Sequence, residues 1–449
     1  MPRLNMLAIW VVAFVSLFCY QRVGQVREAV FLAEAMETIG DESLVEVSRQ
    51  QLFDAAMHGM TSELDRFSRF IPRDESERFR QQLDNHFPGI GIRIRIRKDE
   101  ETEKIELVVE DTVIGTPQPA HDAGLRSGDR LVAVNGRRLA TSATAGDDEI
   151  PPEDATKFIT GPAGTDVTLT VERDGELLDF AVTRQEIEVD SILGDTRNGA
   201  GEWIYRLAGD PRIGYIRIDS FSDNTLPQLR LALDQLAKGD EMQALLLDLR
   251  DNPGGYLRAA VELCDLFIDA DQTDINLDRR IVSTRDRFGK DHEVHRARNG
   301  DVLPGVPIVV LVNGQSASAS EIFAACLQDY GRAVVCGSRT FGKGSVQKVV
   351  PLERGRSLLK ITTNTFWRPS DQQIHKMDDA TDEDAWGVRP DDGFAVELSE
   401  DEEERRRDER RARDVAQHEQ PATFDPEIFD PQLQRAVDHL VEQLEKKPR

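Results

Sequence analysis

The sequence predicts a multidomain protein that combines a helical N-terminal region, a β-rich module and an α/β core. Three patterns predict this fold class: apolar residues spaced three and four apart near the N-terminus, strictly alternating apolar residues after them, and strands that alternate with helices further on. At 449 residues the chain is also too long for one ordinary core, since a typical domain size gives roughly two to four domains for such a length.

The first 24 residues are typical of a membrane-targeting segment. Leu4 to Gln21 carries no charge and is flanked by Arg3 and Arg22. This stretch is short for a spanning helix, and bulky residues stand where a cleavage site needs small ones. We therefore expect an uncleaved signal anchor, with a cleaved signal peptide or a buried core helix as alternatives. The expected location is the cell envelope, on the periplasmic face of the inner membrane or secreted to the periplasm.

Composition argues against several classes of protein. The formal net charge is −26, from 56 basic and 82 acidic residues, and such a chain repels phosphate backbones, so nucleic-acid binding is not expected. The four cysteines form no C-x-x-C pair and the eight histidines no metal-binding frame. We expect neither a metal nor another cofactor.

Residues 25–86 have helical spacing, and residues 87–189 have the spacing of strands. Ile92, Ile94 and Ile96 alternate with polar residues, which predicts a sheet with one buried face. Asn-Gly and Asp-Gly pairs at 135–136 and 174–175 predict tight turns between strands. Residues 141–155 have no apolar period and are expected to form an acidic surface insertion.

Residues 190–395 have the pattern of an α/β core. The alternation of strands and helices predicts a largely parallel sheet with both faces covered. The expected elements are strands at Gly214–Ile218, Ala244–Leu249 and Ile308–Val312 and helices at Leu226–Ala237, Arg258–Phe267 and Ala319–Leu327. In the remaining segment, 396–449, the charged run Glu400–Arg413 is expected to stay solvated as a helix or linker. A last helix is expected at Asp430–Lys447.

Three loops rich in Gly or Ser follow strands of the predicted sheet, where ligands gather in open α/β folds. They are Asp248–Gly255, Asn313–Glu321 and Gly337–Gln347. Taken alone, the first is explained by a tight turn, and the alternating serines of the second are explained by helix capping.

The third loop nearly matches the phosphate loop G-x-x-x-x-G-K-[ST]. Gly344 stands where that motif needs a hydroxyl, so a nucleotide site is disfavoured. Lys343 lies between Gly342 and Gly344, and burial in an apolar setting would lower the pKa of its ammonium group. Lys343 could then serve as a general base.

These loops together resemble the carboxyl-terminal processing (tail-specific) peptidase family, from about Met60 to Asp391. The segments that carry the resemblance are Ser316–Glu321, Thr340–Gln347 and Asp248–Gly255. The segments Phe87–Ile92 and Gly124–Gly136 resemble the PDZ domain of that family, and Gly387–Asp391 resembles its distal protease motif.

The resemblance implies a serine endopeptidase with a protease core of the ClpP/crotonase-like type. It implies Ser318 as nucleophile, Lys343 as base and Gln347 as the residue that orients the lysine. The N–H groups of Gly255 and Ala319 would form the oxyanion hole, and Asp329 would give structural support. Capping remains the explanation for Ser316 and Ser320. The PDZ domain would bind the carboxylate of a substrate tail on the backbone of Gly89, Ile90, Gly91 and Ile92.

The implied partners are protein substrates with apolar C-terminal tails, while an adaptor protein and a homo-oligomer stay open. Residues 141–155 and 372–386 depart from the family pattern and affect the expected gating and specificity. Two other functions compete with the peptidase. One is a catalytically silent PDZ-type scaffold of the cell envelope, and the other is a P-loop ATPase.

Overall fold

The structure is a computed structural model, and it describes twelve stretches of the chain. These are residues 27–84, 86–98, 104–112, 115–142, 146, 148–198, 201–238, 242–269, 271, 277–298, 300–414 and 429–446. The predicted membrane-targeting segment Leu4–Gln21 lies outside them. Within them, no helix combines the length and the apolar character that crossing a membrane requires.

The chain divides into two compact units. The first comprises the residues up to Ser76 together with Gln347–Thr362, and the second comprises Glu77–Val346 with Thr363–Arg449. The elements that begin in the N-terminal part of the first unit are α1 Arg27–Glu42, α2 Arg49–Ser62, β1 Arg69–Ile71 and α3 Arg73–Asp84. Strand β1 pairs antiparallel with residues 358–360. An Arg73–Glu353 ion pair, 2.6 Å between Nη2 and Oε1, also lies within this unit.

The β module follows. Its elements are β2 His86–Gly89, β3 Arg93–Lys98, β4 Ile105–Asp111, β5 Gly115–Thr116, α4 Pro119–Asp122, β6 Arg130–Val134, β7 Arg137–Arg138, α5 Ala155–Ile159, β8 Asp166–Arg173, β9 Glu176–Thr183 and β10 Gln185–Val189. The main sheet has the order β3-β4-β6-β8-β9. Both predicted turns are present, because Asn135 and Asp174 adopt positive φ angles before their glycines.

The prediction of a surface insertion at 141–155 is wrong for its second half. Ile150 and Ala155 are fully buried and belong to the core of the β module. The backbone N–H of Ile150 donates to Arg138 O, which fixes the segment against strand β7. Ile150 and Ala155 are isolated apolar residues, so no apolar period in the sequence marks them as part of a core. The stretch 143–145 and residue 147 lie outside the described residues.

The α/β core completes the second unit, except that residues 347–362, which span parts of its last two strands, belong to the first unit. Its elements are β11 Ile192–Leu193, β12 Thr196–Arg197, β13 Trp203–Ile204, β14 Arg206–Leu207, β15 Asp210–Ile218, α6 Thr225–Ala237, β16 Ala244–Asp248, α7 Leu257–Phe267, β17 Arg280–Arg285, β18 Asp291–Arg296, β19 Ile308–Val312, α8 Ala319–Asp329, β20 Val334–Gly337, β21 Ser345–Leu352, β22 Ser357–Trp367, α9 Glu400–Asp414 and α10 Pro431–Lys446. Strands β15, β16, β19 and β20 pair in parallel, which confirms the predicted sheet.

Both faces of this sheet are covered, as the sequence predicts. Leu245 and Leu247 point into a core formed with helices α6, α7 and α8, whereas Leu246 points into a core on the opposite face. That second core contains Ala436 and Leu440 of helix α10. The last helix of the chain is therefore a layer of the core rather than an appendage.

The charged run Glu400–Arg413 is a helix, but the prediction that it stays solvated is wrong. Arg406 is 3% exposed and Asp414 9% exposed. Asp414 accepts a hydrogen bond from Arg217 of strand β15, 2.6 Å between Oδ2 and Nη2, and Arg413 contacts the buried Asp195. Helix α9 thus packs through ion pairs instead of apolar residues, because the surface that it meets carries charges of its own.

Candidate active site

Ser318 lies at the turn between strand β19 and helix α8. Its φ of 57° and ψ of −112° place it in a region that L-residues rarely adopt. Such strain persists only where neighbouring contacts impose it, and it is concentrated at functional sites. The turn presents Ser318 at the N-terminus of an eleven-residue helix, whose aligned peptide dipoles favour developing negative charge. This conformation distinguishes Ser318 from an ordinary capping serine.

Glu321 joins the turn that carries Ser318 to the loop that carries Lys343. This side chain is fully buried, and its Oε2 accepts the backbone N–H groups of both Ser318 and Lys343, each at 2.8 Å. The two backbone nitrogens therefore lie within two hydrogen-bond lengths of each other. Its Oε1 accepts the Gly342 N–H at 2.7 Å and the Thr340 hydroxyl at 2.6 Å. One carboxylate thus sets the spacing between the candidate nucleophile and the candidate base.

Glu321 was not among the site residues predicted from the sequence. The available signal was the spacing S-x-x-E at 318–321, in which a glutamate reaches back to the N-cap backbone. The contacts with Thr340, Gly342 and Lys343 could not be read from that spacing, because these residues are 19 to 22 positions away.

The environment shifts the pKa of both ionisable groups. Burial raises the pKa of Glu321 to about 7, against the opposing effect of its four hydrogen bonds. Burial also lowers the pKa of the Lys343 ammonium below 10.5, while the negative charge of Glu321 opposes this shift. A lysine with a lowered pKa holds more of the neutral amine that a general base requires.

The glycine turn, Asn252–Gly255, lies directly against Ser318. Gly254 has a φ of +99°, and a β-carbon there would come within 2.9 Å of both Ala319 N and Ser318 Cβ. The turn is fixed by Asn252, whose Oδ1 accepts the Gly254 N–H at 2.8 Å. Asn252 O also accepts the Ala317 N–H at 3.0 Å. The predicted oxyanion donors, at positions 255 and 319, therefore belong to two segments in direct contact.

Ser316 and Ser320 are fully buried, and their hydroxyls do not cap helix α8. The Ser316 Oγ donates to Leu249 O at 2.8 Å, and the Ser320 Oγ donates to Asn252 O at 3.0 Å. The capping explanation for these two serines is therefore wrong. Both tie the nucleophile turn to the segment that carries the glycine turn.

Asp329 lies at the opposite end of helix α8 from Ser318. Its carboxylate accepts hydrogen bonds from the Arg368 guanidinium at 2.5 and 3.0 Å and from the Ser370 N–H at 2.9 Å. Helix α8 has eleven residues, which separates its ends by about 15 Å. Asp329 thus anchors the segment that follows strand β22 to the helix, and the structure does not bring it to Ser318.

The distal motif and residues 372–386 pack on the lysine loop, Thr340–Gly344. Val388 N donates to the Thr340 hydroxyl at 2.8 Å, which in turn donates to Glu321. The Trp386 ring lies 2.9 Å from the position that a β-carbon on Gly342 would occupy. Arg339 lies over the same ring, 3.3 Å from its centroid, and Lys376 lies 4.1 Å from it. Thr340, Gly342 and Gly344 are buried under this cover, whereas Phe341 of the same loop is 38% exposed.

Gln347 lies on strand β21 and belongs to the other compact unit. Within that unit, its Nε2 donates to the Thr362 hydroxyl at 3.4 Å. The hydroxyl of Thr362 in turn donates to Asp65 at 3.2 Å. The role that the resemblance implies for Gln347 stays a prediction.

The predicted tail-binding residues are the last residue of strand β2, Gly89, and the link to strand β3, residues 90–92. Gly89 and Ile90 are buried, and Gly91 has a φ of +74°. The carbonyl of Ile90 accepts the Ala120 N–H at 3.1 Å, which anchors the loop on helix α4. Strand β3 then runs along the end of the main sheet. A loop of this kind beside a sheet edge is suited to a peptide that adds as a further strand.

Comparison with known proteins identifies the family. Residues 212–392 match the profile of peptidase family S41, and residues 110–173 match that of the PDZ domain. The chain is 33% identical over 330 residues to a carboxy-terminal-processing protease of Bartonella bacilliformis, covering 72% of this chain and 67% of that protein. It is 32% identical over 345 residues to a CtpA-like serine protease of Staphylococcus saprophyticus, covering 76% and 62%.

Two solved structures also align with this chain. One is the photosystem II D1 C-terminal processing protease, with a TM-score of 0.44, 24% identity and coverage of 82% of this chain and 92% of that one. The other is an S41 protease of Bacteroides fragilis, with a TM-score of 0.46, 19% identity and coverage of 76% and 81%.

The fold, the site and the family matches together define a serine-type peptidase that carries a PDZ domain. The chain spans 67% of the length of the Bartonella bacilliformis protein and 62% of that of the Staphylococcus saprophyticus protein. It belongs to the carboxy-terminal-processing proteases of peptidase family S41. Both of these relatives are bacterial proteins, and the cell envelope location of this chain stays a prediction.

Proposed function

We propose that this chain is an endopeptidase that captures the C-terminal tail of a protein substrate on its PDZ domain and cleaves the substrate with a Ser318–Lys343 dyad. The observation that carries the proposal is the single oxygen of Glu321 that holds the backbone N–H groups of both residues. The proposal includes a protease core of the ClpP/crotonase-like type and a location in the cell envelope.

In the proposed mechanism, the neutral Lys343 amine accepts the Ser318 hydroxyl proton as Oγ attacks the scissile carbonyl. The negative charge that develops on the carbonyl oxygen is stabilised by the N–H groups of Gly255 and Ala319. Lys343 then gives the proton to the leaving amine, and an acyl-enzyme on Ser318 remains. Water hydrolyses the ester with Lys343 again as the base.

Recognition in this proposal is separate from chemistry. The tail carboxylate would bind the backbone N–H groups of Gly89–Ile92, while the peptide extends along strand β3. Ile94 of this strand is partly buried and packs against the apolar core of the PDZ domain, and Ile96 is 53% exposed. Apolar tail residues would therefore find apolar contacts there.

The test uses the purified full-length chain and an unfolded protein that ends in apolar residues. We expect fragments from the wild type and none from Ser318→Ala, and mass spectrometry should detect an acyl group on Ser318. Equal degradation by both proteins would contradict the dyad assignment. If neither protein cleaves and a serine-reactive fluorophosphonate leaves Ser318 unlabelled while a tail peptide still binds, the chain is the silent scaffold.

A further inference from the structure

The glycine turn is preceded by two residues that form ion pairs with the C-terminal part of the chain. Arg250 pairs with Asp430, which directly precedes helix α10, at 2.7 Å between Nη1 and Oδ1. The next residue, Asp251, pairs with Arg406 of helix α9 at 2.5 Å between Oδ2 and Nη2. Both guanidinium groups are almost fully buried, with side chains 1% and 4% exposed. The C-terminal segment thus holds consecutive residues of the loop with charges of opposite sign.

The backbone at Asp251 requires such support. Its φ of +62° is left-handed, and this conformation costs energy for residues other than glycine. Asn313 contributes part of the support, because its Oδ1 accepts the Asp251 N–H and its Nδ2 donates to Asp251 Oδ1. The remaining oxygen, Oδ2, accepts from Arg406. Both carboxylate oxygens are therefore engaged on different partners.

Asp251 is followed by Asn252, which orients the glycine turn. The side chain of Asn252 accepts the Gly254 N–H, and its carbonyl accepts the Ala317 N–H on the nucleophile side. A change in the backbone at position 251 therefore reaches the turn that carries Gly255. Burial disfavours the charge of Arg406 and neighbouring Arg250 adds to this effect, yet Asp251 keeps the pKa of Arg406 above its ordinary value.

We infer that Arg406, on the charged helix α9, is a positioning residue that aligns the glycine turn for oxyanion binding through its ion pair with Asp251. The inference rests on the proposed peptidase function. It gives the charged run Glu400–Arg413 an indirect role in catalysis.

The physical expectation is a loss of turnover with little change in substrate affinity. Removal of one oxyanion donor lowers kcat by about 10²- to 10³-fold. In an Arg406 variant the donor remains and is only misaligned, so we expect a smaller loss of about 10- to 100-fold in kcat. The KM should stay within about threefold, because tail capture occurs on the PDZ domain.

The experiment compares Arg406→Met with Arg405→Met in the full-length chain. Arg405 is the adjacent residue of the same helix, its side chain is 58% exposed, and it pairs with Glu409. Turnover of the unfolded substrate is normalised to the fraction of folded protein, measured by circular dichroism, and Ser318 labelling by a fluorophosphonate is timed in parallel. We expect slower turnover and slower labelling in Arg406→Met alone.

A second variant keeps the test decisive if Arg406→Met does not fold. Asp251→Asn retains the Oδ1 that contacts Asn313 and turns an amide NH2 toward Arg406, so it should lose kcat to a similar extent. The Asp251→Asn, Arg406→Met double variant should then be no slower than the slower single variant. Multiplicative losses, or kcat in Arg406→Met equal to that in Arg405→Met, would refute the inference. An inactive and unlabelled wild type would instead refute the proposed function itself.

Discussion

Replacement of Glu321 by glutamine should slow turnover and move the acidic limb of the pH-rate profile to lower pH. The carboxylate accepts four hydrogen bonds, two on each oxygen. A glutamine of the same shape has one acceptor oxygen, and its NH2 would face two donors, the N–H groups of Ser318 and Lys343 if Oε1 keeps its partners. We expect both backbone segments to separate and kcat to fall by about 10²-fold, as for a lost oxyanion donor.

At alkaline pH, the same replacement should stabilise the folded protein even though it slows turnover. Burial raises the pKa of Glu321 from 4.5 to about 7, so ionisation destabilises the folded state by about 3 kcal/mol above pH 7. This penalty is absent below pH 4.5 and grows between pH 4.5 and pH 7, as only the unfolded carboxyl ionises. Glutamine avoids it, but brings one more amide hydrogen than a protonated carboxyl, which costs about 1–3 kcal/mol.

The assay combines urea denaturation at pH 4.5 and pH 8 with kcat measured across the same range. The free energy of unfolding of Glu321→Gln, relative to the wild type, should increase by about 3 kcal/mol between these two pH values. The acidic limb of the kcat profile should move to lower pH, since the negative charge of Glu321 no longer raises the pKa of Lys343. Glu404→Gln, an exposed glutamate of helix α9, serves as the control. An unchanged kcat, or a limb that moves to higher pH, would refute this account.

Three further predictions concern the glycine turn, the cover of the lysine loop and the core of the PDZ domain. Gly254→Ala should lower kcat at least about 100-fold, because the new β-carbon would lie 2.6 Å from Ala317 O; Gly289→Ala, also at positive φ but with open space around it, should retain activity. Trp386→Ala should expose the lysine loop, raise the pKa of Lys343 and shift the acidic limb of kcat upward; Met377→Ala, 54% exposed on the same segment, is its control, and an unshifted limb would contradict the role of the cover. Ile150→Ala should destabilise the PDZ domain by about 2–5 kcal/mol in thermal or urea unfolding, whereas a loss under about 0.5 kcal/mol would be that of a surface residue.

Local patterns predicted the regular elements with good accuracy. Strand Ile308–Val312 has the same limits in the structure as in the sequence analysis, because a short run of β-branched and apolar residues has few alternatives. Helix α8 begins at Ala319 as expected and extends two residues further, to Asp329. The Asn-Gly and Asp-Gly turns were predictable for a similar reason, since few residue pairs tolerate positive φ.

The burial predicted from the sequence was wrong for charged residues and for isolated apolar residues. Glu400–Arg413 has the composition of a solvated helix, and its burial depends on Asp195 and Asp251, which lie more than 150 positions earlier. Ile150 stands alone among polar residues, so no period marked it as part of a core. For the charged helix, the partners that justify burial are distant in the chain, and a window of neighbouring residues does not contain them.

The sequence by itself determined the class of protein, because the segments Ser316–Glu321, Thr340–Gln347 and Asp248–Gly255 together resemble a single peptidase family. Only the tertiary structure decided how these groups are held together. Glu321 unites the turn of Ser318 with the loop of Lys343, and Arg406 reaches the glycine turn through Asp251. Hydrogen bonds and ion pairs of this kind depend on three-dimensional proximity, which spacing along the chain does not encode.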